Sequence, residues 1–324
     1  MYSIADLQTV IGEALTRKHF LKEPTTLYEP IQYFLNIGGK RLRPVLTLLA
    51  TNMYRTHIEE SVSAAMAIEI FHNFTLMHDD IMDEAPLRRG KVTVHKKWNT
   101  NSAILSGDAM LILAYQLLAD SPSEHLPEVL RVFNKMAQEV CEGQQLDMDF
   151  EETSTVSEEV YINMIRLKTS VLLGAALEIG AILGGANHKD RKLIYDFGVH
   201  MGIAFQLQDD ILDVYGDPLK FGKQVGGDII ENKKTFLLIN ALQLAQNKDA
   251  EELKHWFSST EFNPEEKVRV VRAIFDKLGI KQLAEEAKAN YAHKAYASLD
   301  KVDLPSEKKR SLIAFAQNLL IRES

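Results

Sequence analysis

The chain is short of several residue types, and each shortage excludes something. One cysteine, Cys141, among 324 residues leaves no partner for a disulfide within the chain. That suits a reducing compartment, and the expected location is cytoplasmic. Cys141 itself reads as a small buried apolar residue rather than a nucleophile. Alternating apolar and polar residues bounded by turn pairs are scarce, which argues against a sheet-based fold. No Ser/Pro-rich linker or low-complexity tract divides the chain, so one domain spanning 1–324 is expected. Basic residues do not predominate: 37 Lys and Arg face 45 Asp and Glu, for a formal charge of −8. A general nucleic-acid binder is thereby excluded. At first sight an anionic substrate is disfavoured too. The N-terminus lacks the basic start and apolar core of a signal peptide and reads as an amphipathic helix. Ser170–Ala186 is apolar but short for a membrane span, with Glu178 at its middle. Its small residues Gly174, Ala175, Gly180 and Gly184 suit a closely packed core helix, so no integral membrane segment is expected.

What is present is helical. Apolar residues make up 46% and charged residues 25%, the balance of a soluble globular protein. Ile68, Phe71, Phe74 and Thr75 recur at spacings of three and four. Thr155-Val-Ser-Glu158 and Asn263-Pro-Glu-Glu266 have the form of helix N-terminal caps. Helices are expected near 3–19, 27–35, 43–55, 60–83, 101–119, 124–150, 156–184, 189–215, 233–246, 264–278, 280–299 and 305–321. The fold class is therefore all-α, a single large helical bundle.

One pattern occurs twice. Asp79-Asp-Ile-Met-Asp83 and Asp209-Asp-Ile-Leu-Asp213 both read DDIxD. On a helix, the first and last aspartates lie one turn apart on the same side, and the second lies about 100° around. All three can thus border one opening. Apolar residues flank both motifs, so a solvated acidic face is a poor explanation, and unpaired buried carboxylates cost several kcal/mol each. No Lys or Arg lies at the adjacent helical positions. Hard divalent ions answer the need, and Mg²⁺ commonly combines one or two carboxylates with substrate phosphate oxygens. By chance, two such motifs would arise in about one chain per thousand.

Basic groups follow each cluster or sit in glycine-rich segments. Lys40, Arg41 and Arg43 come after Gly38-Gly39 at a helix start, where backbone N–H groups favour an anion. Arg88-Arg89-Gly90 follows the first acidic motif, and arginine suits bidentate phosphate contacts. Lys168-Thr169 interrupts an apolar run, while Lys223, Gly226-Gly-Asp228 and Lys233-Lys234 follow the second motif. Singly, each is more often surface charge; beside the acidic motifs that weighting reverses. His72 is about two turns before Asp79 on roughly the same face, as apt to be a structural histidine as a functional one.

The ordered set GGKRLRP, HNFTLMHDDIMD, LRRG, GQQLD, KTS, FQLQDDILD, GK and GGDIIENKKT resembles the trans-isoprenyl (polyprenyl) diphosphate synthase family over nearly the whole length. None of the principal positions departs from the pattern. The resemblance implies the isoprenoid synthase fold, a helical bundle around a central apolar cavity, a homodimer, and two or three Mg²⁺ ions. It implies that Asp79 and Asp83 bind Mg²⁺ on an allylic diphosphate and that Asp209 binds another ion, with Asp213 and Asp228 in support. Arg88, Lys168, Lys223 and Lys233 would hold the allylic diphosphate, and Lys40, Arg43, His72 and Arg89 isopentenyl diphosphate. Thr169 and Gln206 would turn oxygens toward a carbocation, Phe205 would help position substrate, and Gln144 and Asp147 would surround the metal site.

The implied reaction is a head-to-tail condensation. The metals and basic residues draw charge onto the diphosphate, the allylic C–O bond breaks, and the isopentenyl double bond attacks the cation. The tail should extend toward the N-terminal end of the helix bearing Asp79, where Phe74 and Phe71 can project into its path; that they are ordinary core residues is the lesser alternative. With Thr75 and no insertion in DDIMD, the pattern resembles short-chain members with an aromatic floor, favouring C20 over C15. Two other readings remain: a class I terpene cyclase, which would not need GGKRLRP, and a non-catalytic helical partner subunit.

Overall fold

The computed structural model describes residues 2–153, 155–217 and 225–320. It opens with α1 (Ile4–Arg17), α2 (Thr25–Asn36), α3 (Leu42–Tyr54) and α4 (Val62–Met82). A small hairpin of β1 (Leu87–Arg88) and β2 (Lys91–Val92) precedes α5 (Val94–Lys97), α6 (Thr100–Ala119) and α7 (Leu126–Glu152). Then come α8 (Glu158–Ile165), a π-helical turn Arg166–Ser170, α9 (Val171–Gly184) and α10 (His188–Tyr215). The remainder is α11 (Gly227–Ile230), α12 (Phe236–Leu244), α13 (Asn247–Ser258), α14 (Pro264–Lys277), α15 (Ile280–Asp300) and α16 (Ser306–Leu320). The all-α expectation holds.

Two compact units are distinguished. The first comprises Met1–Asn134, Ala175–Ile194 and Asp303–Leu312; the second comprises Lys135–Gly174, Tyr195–Val302 and Ile313–Ser324. In the first, α4 packs along α6, with α1, α2 and α3 also against it. Every residue from Ala64 to Phe71 is buried, the signature of a helix enclosed on most sides. Full burial of a side chain such as Ile68 or Phe71 contributes about 1.5–3 kcal/mol. Also in this unit, a Cβ on Gly180 would lie 2.0 Å from the carbonyl oxygen of Thr47. The expected close packing of the small-residue helix is thus realised, and the Thr51 hydroxyl donates to Gly180 O at 2.9 Å. In the second unit, Leu207, Ile211, Leu237, Val271, Phe275 and Ile280 share one core. There α14 packs on α11 and α15, and α12 packs on α8 and α15.

Several boundaries depart from expectation. Asn263 caps α14 by accepting from Glu266 N, as expected, but α8 is capped by Ser157 rather than Thr155. The expected helix 156–184 is interrupted by the π-turn. Helix α13 was unforeseen because Leu253 is its one fully buried residue and its remaining faces are mixed. Residues 86–90, which lie between the expected helices, form part of a hairpin pairing Leu87 with Val92 and Arg88 with Lys91. Arg89 and Gly90 make its turn at φ +51° and +73°, the positive values that two-residue hairpin turns favour. Cys141 is exposed rather than buried, since Val140 and Gly143 take the inward positions on that stretch of α7. Partial burial of its thiol and the neighbouring Glu142 raise the thiol above its usual range, so it remains a poor nucleophile. Two helical stretches, Thr100–Ala119 and Glu158–Gly184, are long and apolar enough to cross a membrane. The latter is 78% buried inside the protein, as a core helix is.

Candidate active site

In the first unit, the motif around Gly38-Gly39 meets the hairpin turn. Arg41, at φ +47°, occupies the N-cap of α3 and makes no side-chain cap bond, so the first N–H groups of that helix keep their affinity for an anion. A Cβ on Gly39 would fall 2.5 Å from Arg89 Nη1. Glycine is therefore what admits the Arg89 guanidinium. Arg43 Nη1 lies 3.1 Å from His72 Nε2. Since arginine only donates, His72 accepts there and carries its proton on Nδ1. Burial, followed by Arg43, Arg89 and Arg88, pushes His72 well below its ordinary pKa, consistent with a neutral ring. Beneath these groups lies Glu69, buried, with Asn73 donating to its carboxylate at 3.2 Å. Burial raises its pKa, while Arg43, Arg41 and Arg89 pull the other way. Lys40 is exposed at the rim, its carbonyl accepting from Gln8.

The first acidic motif closes α4. Asp79 sits in its last turn and Asp83 is the C-cap, Asp83 N donating to Asp79 O. The middle aspartate departs from expectation. Asp80 does not join its neighbours at an opening but turns inward, 1% exposed. Its partner is Arg88, whose Nε donates to Asp80 Oδ1 at 2.6 Å while Nη2 reaches Asp79 Oδ2 at 3.3 Å. Burial raises Asp80 to a pKa of about 6 against the opposing pull of Arg88. Its other oxygen, Oδ2, is buried and accepts no hydrogen bond among the described residues. The same α4 carries the aromatic pair: Phe71 is fully buried edge-on to Phe133, and Phe74, half-buried, lies 5.6 Å from Phe71 and 4.8 Å from the His78 ring.

In the second unit the π-turn presents Lys168 and Thr169. A π-turn inserts one residue into a helix and recurs at functional sites. Two glycines make room for it: a Cβ on Gly143 would lie 2.2 Å from Lys168 N, and one on Gly202 2.7 Å from Ser170 Cα. Lys168 Nζ meets Asp147 Oδ2 at 2.6 Å. Thr169 Oγ1 donates to Gln206 Oε1 at 3.5 Å, and Gln206 Nε2 donates to Asp210 Oδ1 at 3.4 Å. Asp210, like Asp80, is turned inward rather than toward an opening, 3% exposed, and accepts the Tyr161 hydroxyl at 2.5 Å. Burial and Asp228 raise it to a pKa of about 8. Asp213 ties down the next segment: its Oδ2 accepts from Asp228 N at 3.0 Å and its carbonyl from Gly226 N at 2.6 Å. Lys233 Nζ lies 2.9 Å from Glu231 and 3.9 Å from Asp228. Asp209, Phe205 and Gln144 are partly exposed, and Lys223 lies outside the described residues.

The ordered motifs are matched as a whole: residues 24–275 fit the profile of the family described as Polyprenyl synthetase. The chain belongs to the polyprenyl synthetase family. A geranylgeranyl pyrophosphate synthase of Geoglobus acetivorans is 37% identical over 322 residues, covering 99% of this chain and 98% of that protein. A crystal structure of a geranylgeranyl pyrophosphate synthase superposes with a TM-score of 0.95 at 47% identity and complete coverage of both chains. A polyprenyl synthase from Caulobacter crescentus CB15, complexed with calcium and isoprenyl diphosphate, superposes at 0.86 with 28% identity, covering 99% of this chain and 95% of that one. As a family member, the chain is a trans-isoprenyl diphosphate synthase of the short-chain type with the isoprenoid synthase fold.

The donors of this synthase suit a hard cation. Among the described residues, no group of three or more His, Cys, Asp or Glu is placed to enclose an ion. What α4 offers instead is the carboxylates of Asp79 and Asp83 at its C-terminal end, the open arrangement of an ion that keeps sites for water and phosphate, while the orphaned oxygen of Asp80 is turned inward behind them. Sequence reasoning missed Glu69, Tyr161 and Gly202, and took Gly143 only as part of the GQQLD motif without its packing role. Tyr161 is 49 residues from Asp210, and no local spacing could have linked them.

Proposed function

We propose that the chain is a Mg²⁺-dependent prenyltransferase condensing isopentenyl diphosphate head-to-tail with an allylic diphosphate, with C20 favoured over C15. The span 1–324 acts as one cytoplasmic isoprenoid synthase domain in a homodimer. The observation that carries this reading is the chain of contacts around α4: Gly39 against Arg89, Arg43 on His72, and Arg88 on Asp79 and Asp80. Helix α4 thus has arginines of α3 and of the hairpin gathered against it and, two turns on from His72, an acidic end. Lys40, Arg43, His72 and Arg89 hold isopentenyl diphosphate. Neutral His72 adds a donor without adding charge.

Asp79 and Asp83 would hold Mg²⁺ for the allylic diphosphate and Asp209 would hold another, two or three ions in all, with Asp213 and Asp228 in support. The metal, when bound, supplies Lewis-acid stabilisation of the departing diphosphate. The family resemblance assigns Arg88, Lys168, Lys223 and Lys233 to the allylic diphosphate, for which their side chains supply charge-assisted donors. The Arg88 fork retains further N–H donors beyond the two used on Asp80 and Asp79. Thr169 and Gln206 present oxygen lone pairs to the allylic cation, their orientation set through Asp210 and Tyr161. Apolar walls exclude water, and the proton lost after attack goes to the released pyrophosphate. Half-buried Phe74, backed by Phe71 and Phe133, forms the floor that ends elongation.

The test is an assay of the purified protein with Mg²⁺, isopentenyl diphosphate and each allylic primer, followed by chromatography of dephosphorylated products. A C20 product is expected, with Asp79→Ala lowering turnover by about a hundredfold or more while folding is retained. Phe74→Ala should lengthen the product. Turnover without isopentenyl diphosphate would point to a cyclase, and inactivity of the protein alone to a partner subunit.

A further inference from the structure

Lys267 lies in the first turns of α14 and is fully buried. Its ammonium rests 4.2 Å from the Phe262 ring centre and 5.0 Å from that of Phe257. It donates to the Ile230 carbonyl at 3.4 Å and to the Asn232 side-chain oxygen. No carboxylate pairs with it among the described residues. A buried ammonium without a counter-ion is costly, and a methionine would cover the same two rings without that cost. The charge must be retained for the acceptors it reaches, and both lie in one turn.

That turn leaves α11. Helix ends expose carbonyls that need donors, and Ile230 O receives one from Lys267. Asn232 stands at φ +58°, a left-handed conformation that asparagine tolerates better than most residues. The next residue of α14 completes the grip: a Cβ on Gly226 would lie 2.6 Å from Val268. Residues 267 and 268 therefore hold both ends of α11, between which lies Asp228 and beyond which follows Lys233. The Lys233 amide in turn donates to Asp228 O at 2.9 Å.

We infer that Lys267 is a positioning residue: its buried ammonium clamps the Ile230–Asn232 turn and so fixes Lys233 for the allylic diphosphate. The second half rests on the proposed role of Lys233; the clamp itself does not.

The experiment uses full-length Lys267→Met, Asn232→Gly and Lys233→Ala, with amide hydrogen exchange and steady-state kinetics on each. Asn232→Gly removes the acceptor while permitting the left-handed backbone, and carries the test should Lys267→Met not fold. In both clamp variants, exchange across 230–234 should rise about tenfold or more while other helices keep their protection. KM for the allylic diphosphate should rise roughly tenfold, with kcat and KM for isopentenyl diphosphate within about twofold. Unchanged exchange at 230–234, or equal losses for both substrates, overturns the inference. If Lys233→Ala leaves KM unaltered while the clamp variants still exchange faster, the assignment of Lys233 fails and the clamp stands.

Discussion

A histidine kept neutral among arginines has a consequence for stability. Burial, then Arg43, Arg89 and Arg88, hold His72 well below its ordinary value of 6.5, so the unfolded chain binds a proton there that the folded chain refuses. The stabilisation is fully present above that value and is lost as pH falls below it. Glu69, raised by burial, acts in the opposite sense: its contribution is present below the usual carboxylate value of 4.5 and declines as pH rises. Below pH 6.5 the two oppose each other over a shared range, so the histidine is isolated by substitution rather than by pH alone. Between about pH 6.5 and 5, His72→Gln should make denaturant-unfolding free energy visibly less dependent on pH. An unchanged slope would mean that His200 or His95, also lowered by burial, carries the acid sensitivity.

The π-turn Arg166–Ser170 brings opposed terms into one measurement. Alanine in place of a mid-helix glycine ordinarily gains about 1 kcal/mol from propensity. At Gly202 the new Cβ would stand 2.7 Å from both Ser170 Cα and Cβ, and forced overpacking costs about 1–3 kcal/mol. Backbone cannot yield as a flexible side chain can, so Gly202→Ala should be destabilising on balance and should lower kcat by displacing Thr169. A stability gain in urea unfolding would show that the close approach relaxes freely. This element also marks where sequence reading ends. The span of α4 was legible because Ile68, Phe71, Phe74 and Thr75 recur at spacings of three and four on the way to DDIMD, and the α14 cap because Asn263-Pro264 acts on its immediate neighbours. A single inserted residue leaves apolar periodicity nearly intact, so the π-turn was not. Two-residue strands have no period at all. Asp80 and Asp210 turn inward because Arg88 and Tyr161 await them, and partners brought near by folding leave no mark on local spacing.

For the whole molecule, a net charge of −8 looked ill-suited to a diphosphate, yet six of the 45 acidic residues belong to the two DDIxD motifs. Divalent ions on those motifs would invert the local field. One of the six is further muted, because burial and Asp228 lift Asp210 to about 8, while Asp80, at about 6, stays mostly ionised at pH 7. Apolar surface poses the other question at this scale. Helix α6 leaves Leu105 and Ile112 each 59% exposed, with Ile104 and Tyr115 beside them on a helix of mean hydropathy 1.5. Scattered singly, such residues are unremarkable; several on one twenty-residue helix form a patch that suits a self-complementary contact in the proposed homodimer. In a two-fold contact every substitution acts twice. With about 1.5–3 kcal/mol for covering each such side chain, Leu105→Glu with Ile112→Glu removes enough apolar burial, and adds enough repulsion, to dissociate the pair. Light scattering should find the mass of two chains for the unaltered protein and one for the double variant. A double variant that keeps the larger mass would place the contact on another face, and an unaltered protein that already has the mass of one chain would remove the homodimer itself.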